Sequence, residues 1–151
     1  MHAAEIEPMF SDTVSEFPYK HSTGETIGRF LAGLKEQKRI WGQRAGGQVV
    51  VPPLGYSEVD GSAGAEWVEV GPAGTVTAVA RVFEPIERLH PCDVPFSFIL
   101  VKLDGADTAL THIVRDDLDR LQIGSRVEPV WADDDKRIGS IRDIVAFRVI
   151  G

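Results

Sequence analysis

The sequence predicts a mainly β protein in which one N-terminal helix and a small hairpin precede a Greek-key barrel. Three observations predict it. Residues 66–150 are a succession of short, β-branched runs separated by Gly, Pro and Asp turns. One stretch, Ile27, Phe30, Leu31 and Leu34, keeps the i, i+3, i+4, i+7 spacing of a single helical face. Between them, Gly46-Gly47 joins two short extended runs that Pro52 and Pro53 bring to an end.

Taken in order, residues 1–21 show no consistent period and are broken by Pro8 and Pro18, which suggests an extended arm that docks on something else. Helix 22–38 follows. Ser22 and Glu25 stand in capping-box spacing, and Lys35, Lys38 and Arg39 gather at the C-terminal end, where cations suit the helix dipole. A helix of this length needs a surface to cover its apolar stripe. Residues 39–64 hold the hairpin, with strands over 39–44 and 48–51 and a return through Tyr56 to Gly61. Residues 65–151 form the barrel. Strands are expected over 66–70, 75–82, 96–103, 109–114, 126–131 and 143–150. The run FSFILVKL is apolar on both faces, as a central strand would be. Asp116–Leu121 reads as one or two helical turns, closed by Gly124. Five or six strands with a short helix before the penultimate one suit a barrel of OB type, with a split β-sandwich as the alternative. Closure removes the edges that such strands would otherwise expose.

Composition narrows the function. The chain has 151 residues, 43% of them hydrophobic, and a formal net charge of −7 from 23 acidic and 16 basic residues. The charge opposes duplex binding, which calls for a basic surplus, but it does not oppose a small anion held in a local basic pocket. Single strands held by stacking remain a second reading. No apolar run approaches the roughly 18 residues of a membrane span, and the acidic N-terminus lacks a secretory signal, so a cytoplasmic location is expected. The one cysteine, Cys92, cannot form an internal disulfide or a cysteine zinc site, and a buried hydrophobic role is expected for it. His2, His21, His90 and His112 show no metal-ligand spacing. Asp133-Asp134-Asp135 lacks the glycine and terminal Glu of a calcium loop. No nucleophile elbow, Walker loop or dinucleotide glycine motif is present, which leaves no catalytic residue to name.

The helix ending GLKEQKRIWGQR, then GGQVVVPP, EWVEV, GTVTAVARV, FILVKLDG, IGSRVEPVW and AFRV together resemble, over residues 17–150, the zinc-ribbon plus OB-fold proteins long catalogued as a domain of unknown function. The resemblance implies a rubredoxin-like ribbon for residues 39–64. Family members carry two CxxC pairs around the VPP phrase; those positions are Gln43, Gly46, Ser57 and Asp60 here. Glycine offers no donor, and Gln and Ser are poor ones, so no structural zinc is expected. Packing of Trp41, Val49, Val51, Leu54 and Tyr56 would have to replace the metal's contribution. By resemblance the chain would be an accessory subunit of a thiolase-like or lipid-transfer-like acyl-CoA enzyme in lipid, sterol or ketoacyl metabolism. It would form a hetero-oligomer, homo-oligomers also being open, and would shape a CoA channel without performing the chemistry. The expected ligand is a CoA thioester, with no tightly bound cofactor. CoA needs cations for its phosphates, a stacking face and an apolar groove. Arg81, Arg88 and Lys102 could supply the first, and Phe83, Phe96 and Phe98 the others, around the long loop 84–95. A stand-alone acyl-CoA enzyme is the third reading.

Overall fold

The computed structural model describes residues 13–86 and 89–151. Residues 1–12 of the expected arm lie outside the described residues; Thr13–Thr23 have no regular secondary structure and are exposed. Helix α1 spans Gly24–Ala32 and continues as a π-helical turn over Gly33–Gln37. It begins at Gly24 and not at Ser22, because the expected capping box does not form. The Ser22 Oγ instead accepts from the Gly24 N–H at 3.1 Å, and Thr23 occupies the cap position without a side-chain bond. The apolar stripe is used as spaced: Phe30 and Leu34 are buried, with Ile27 and Leu31 half-buried.

Strands β1 (Ile40–Ala45), β2 (Gln48–Val50) and β3 (Trp67–Val70) form a three-stranded antiparallel sheet in the order β2-β1-β3. Gly46 and Gly47, both at positive φ, make the tight β1–β2 turn. The free edge of β2 does not face water. Its Val49 N–H donates to Asp107 Oδ2 at 2.8 Å, and the Asp107 N–H returns to the Val49 carbonyl at 2.9 Å. Thr108 Oγ1 accepts from the Val51 N–H at 2.7 Å and donates to the Val51 carbonyl. Two side chains thus stand in for a fourth strand and fix the ribbon to the next unit.

That unit is a closed five-stranded barrel of β4 (Gly74–Val82), β5 (Phe96–Leu103), β6 (Leu110–Val114), β7 (Arg126–Trp131) and β8 (Ile144–Val149), in the order β4-β5-β6-β8-β7. All neighbours are antiparallel except β6 and β8, which meet in parallel at Val114 and Phe147. This mainly β architecture is an OB-fold barrel. Three expectations need correction. The run 66–70, placed with the barrel from the sequence, is β3 of the ribbon sheet, because it pairs with β1. Strand β5 alternates, with Ile99, Val101 and Leu103 in the core and Phe98, Leu100 and Lys102 exposed, because the outer face of a closed antiparallel barrel is open to solvent. Residues 116–121 form a turn with bonds from Arg120 N to Asp117 O and Leu121 N to Leu118 O, not a helix, since Asp117 takes a left-handed φ of 54°.

One hydrophobic core runs through all three parts. Phe30 and Leu34 of the helix, Ile40, Val49, Val51 and Val70 of the ribbon, and Val76, Ile99, Val101, Leu121, Val127 and Phe147 of the barrel belong to a single buried cluster. The helix therefore packs on its own chain. Arg137, itself buried, fastens the outside of this joint: its Nε donates to the Lys35 carbonyl at 2.7 Å while Nη1 reaches Asp134 Oδ1 at 2.6 Å.

Candidate functional site

Of the four positions that the resemblance matches to zinc ligands, Gly46, Ser57 and Asp60 lie together at the ribbon turn, and Ser57 and Asp60 are held by hydrogen bonds. Ser57 is buried, and its Oγ accepts from the Val59 N–H at 3.2 Å and the Asp60 N–H at 3.4 Å. Asp60 Oδ1 accepts from the Ser62 N–H and hydroxyl, contacts that hold its carboxyl below the usual range. A Cβ at Gly46 would lie 2.3 Å from Ser57 Oγ, so the space a ligand side chain would need there is filled. Gln43 is buried against Gly64, with Oε1 lacking a partner. With one carboxylate, one hydroxyl already accepting two bonds and a glycine, this donor set does not fit a tetrahedral zinc ion. Of the side chains expected to replace the metal, Val49 and Val51 are buried and Trp41 half-buried, whereas Leu54 and Tyr56 are exposed. Their place is taken by the core valines and the Asp107–Thr108 clamp.

The residues expected to hold CoA do not converge on one site. Arg81 ends β4 with its guanidinium committed to two carbonyls, Leu118 O at 2.8 Å and Leu121 O at 2.9 Å, which ties down the turn beneath it. Phe83 projects from the loop after β4 and is 67% exposed. Arg88 lies outside the described residues. Phe96 is fully buried in a satellite cluster with Ile113 and Ala146, covered by Cys92 and Val94 of the long loop. It stacks edge-to-face with His90 and with Phe98, at 5.2 and 5.1 Å between centroids. Lys102 is exposed on the same face of β5 as Phe98, but four residues along a strand separate them by about 13 Å.

Phe98 opens onto a different feature. A cleft of about 340 Å³ lies between the 91–92 segment of the loop, β5–β6 and the start of β8. Its lining includes Cys92, Phe98, His112, Ile113, Arg115, Arg142 and Ile144. The imidazole of His112 is edge-to-face with Phe147 at 5.3 Å, and its Nε2 lies 3.4 Å from the Ile141 carbonyl. Its Nδ1 is buried without a partner, and burial pushes its pKa down, so the ring is neutral at pH 7. Burial also pushes the Cys92 thiol up, against the opposing influence of nearby Arg115, which makes it a protonated thiol and not a poised nucleophile. The positive charge of the cleft therefore comes from Arg115 and Arg142. Neither arginine stood out in the sequence: they flank β6 and β8, strands 30 residues apart that adjoin only when the barrel closes.

These features define the class: an OB-fold protein with a helix and a three-stranded ribbon at its N-terminal side. Residues 67–132 match the family described as the ChsH2 C-terminal OB-fold domain. Two solved structures share the wider architecture. One, described as the Ltp2-ChsH2(DUF35) aldolase, is 24% identical with a TM-score of 0.60, covering 79% of this chain and 93% of that one. The other, a DUF35-family protein of unknown function from Sulfolobus solfataricus, is 20% identical with a TM-score of 0.57, covering 72% and 79%. No curated protein matches the chain. The family match covers the barrel region, and the two solved structures show that the fold of the wider chain is shared. Among the described residues no helix is long and apolar enough to cross a membrane.

Proposed function

We propose that this chain is an accessory subunit of a thiolase-like or lipid-transfer-like acyl-CoA enzyme, acting in the cytoplasm and leaving the chemistry to its partner. The observation that carries the reading is the match of residues 67–132 to the ChsH2 OB-fold domain. The likeness to a structure that joins ChsH2 with Ltp2 in an aldolase supports a hetero-complex of the same kind. The cleft adds chemical support. It offers cations and an apolar floor but no activated nucleophile, since Cys92 is held protonated.

Affinity purification of the tagged full chain from its native cell tests this. A thiolase-fold or lipid-transfer-like protein should copurify at a fixed stoichiometry. A chain that purifies alone and turns over an acyl-CoA unaided would replace this reading with that of a stand-alone enzyme. A salt-sensitive complex with single-stranded oligonucleotides would replace it with a nucleic-acid module.

A further inference from the structure

Two hollows of the surface join into one groove. The cleft of about 340 Å³ beside Cys92 and a second hollow of about 320 Å³ against helix α1 have Thr111 and Ile141 in common. Ile27 and Leu31 of the helix and Leu110 of β6 give the second hollow an apolar wall. The groove follows the thinnest seam of the barrel. Strand β6 meets β8 at the single pair Val114 and Phe147, so among the described residues no strand lies along 110–113 on that side. The charged side chains of the groove are Arg115 and Arg142, both exposed; Asp93, next to Cys92, lines a neighbouring hollow.

The segment that complements this groove is the chain's own N-terminal arm. Val14, Phe17 and Tyr19 are 83%, 81% and 78% exposed there. In an extended chain alternate residues fall on one face, which sets Phe17 and Tyr19 side by side about 7 Å apart. Pro18 between them bars a helix and favours extended backbone at Phe17. Residues 1–19 hold Glu5, Glu7, Asp12 and Glu16 but neither lysine nor arginine. The arm is therefore apolar and acidic where the groove is apolar and basic. Within one chain both stay uncovered, so whatever covers them comes from outside it, and a second copy carries both halves of the match. We propose that two copies exchange their N-terminal arms, residues 13–19 of each lying extended in the groove of the other. Phe17 and Tyr19 then pack against Ile27, Leu31 and Leu110, with Glu16 toward Arg115 and Arg142 and residues 14–15 toward Cys92. Reciprocal exchange is a two-fold contact that closes on itself. The inference does not rest on the accessory-subunit reading.

Light scattering on the full-length protein should show a dimer that dissociates on dilution and on addition of salt. Phe17→Ser and Arg142→Glu should each weaken dimerisation about tenfold or more. Both side chains are exposed, so the variants should keep the far-ultraviolet dichroism of the parent. Ser15→Cys adds one thiol to a chain whose only other is Cys92. After oxidation with diamide, peptide mapping should join the introduced thiol to Cys92 of the second copy, against the parent protein as background. A monomer at every concentration would overturn the proposal and leave the accessory-subunit reading standing. A dimer indifferent to Phe17→Ser would overturn it too, since the arm would not be its contact. Linkage of the introduced thiol to Cys92 within one chain would replace exchange with an arm folded back on its own groove.

Discussion

His112 shows how one side chain ties stability to pH. Its ring is packed against Phe147 and mostly out of water, and burial depresses its pKa relative to an ordinary histidine near about 6.5. The sign follows from linkage. Below the unfolded-state value the unfolded chain takes up a proton that the folded chain refuses, so stability present at neutral pH is lost as pH falls toward the lower folded value. Urea unfolding between pH 7.5 and 5 should show this decline, and His112→Phe, which keeps an apolar ring in place, should flatten it. An unchanged slope in the variant would assign the effect elsewhere. Asp143 illustrates the opposite, a buried carboxylate that is satisfied: it accepts from the backbone N–H groups of Ile138, Gly139 and Ser140. Asp143→Ala strands three donors beside the cleft and should cost about 2–4 kcal/mol in the same assay.

Among the elements, the ribbon is the one whose stability most needs a source. A two-stranded knuckle is marginal alone, and a metal ordinarily supplies what packing cannot. Here the edge of β2 is closed by Asp107 and Thr108, its valines enter the common core, and Ser57 and Asp60 organise the turn by hydrogen bonds. We expect elemental analysis of purified protein to return no stoichiometric zinc, and chelators to leave its unfolding midpoint unchanged. Gly46 is the sensitive point. Its φ of 56° and the 2.3 Å approach of Ser57 Oγ to any added Cβ mean that Gly46→Ala should lose about 1–3 kcal/mol. Retained stability in that variant would show that the turn relaxes freely.

For the molecule as a whole, the continuous core has a consequence for cooperativity. Because Leu34 is fully buried in the cluster that also holds Val76 and Phe147, helix, ribbon and barrel should unfold together. Tryptophan emission reports the ribbon through Trp41 and Trp67 and the barrel through Trp131. It should trace the same denaturation curve as far-ultraviolet dichroism. Leu34→Ala should lower stability by about 2–5 kcal/mol and shift both curves equally. Two separate transitions would mean that the helix and ribbon are only loosely attached. Periodicity and turn chemistry were enough to place the helix stripe, the Gly46-Gly47 hairpin and the five barrel strands to within a residue or two, because those features are set by neighbours three or four positions away. The alternation of β5, the clamp on β2, the commitment of Arg81 to backbone carbonyls and the presence of Arg115 and Arg142 in the lining of one cleft were decided only by the tertiary structure. Each depends on contacts between segments some 20 to 60 residues apart, and closing a barrel sets those distances by strand order and register, which no local pattern encodes.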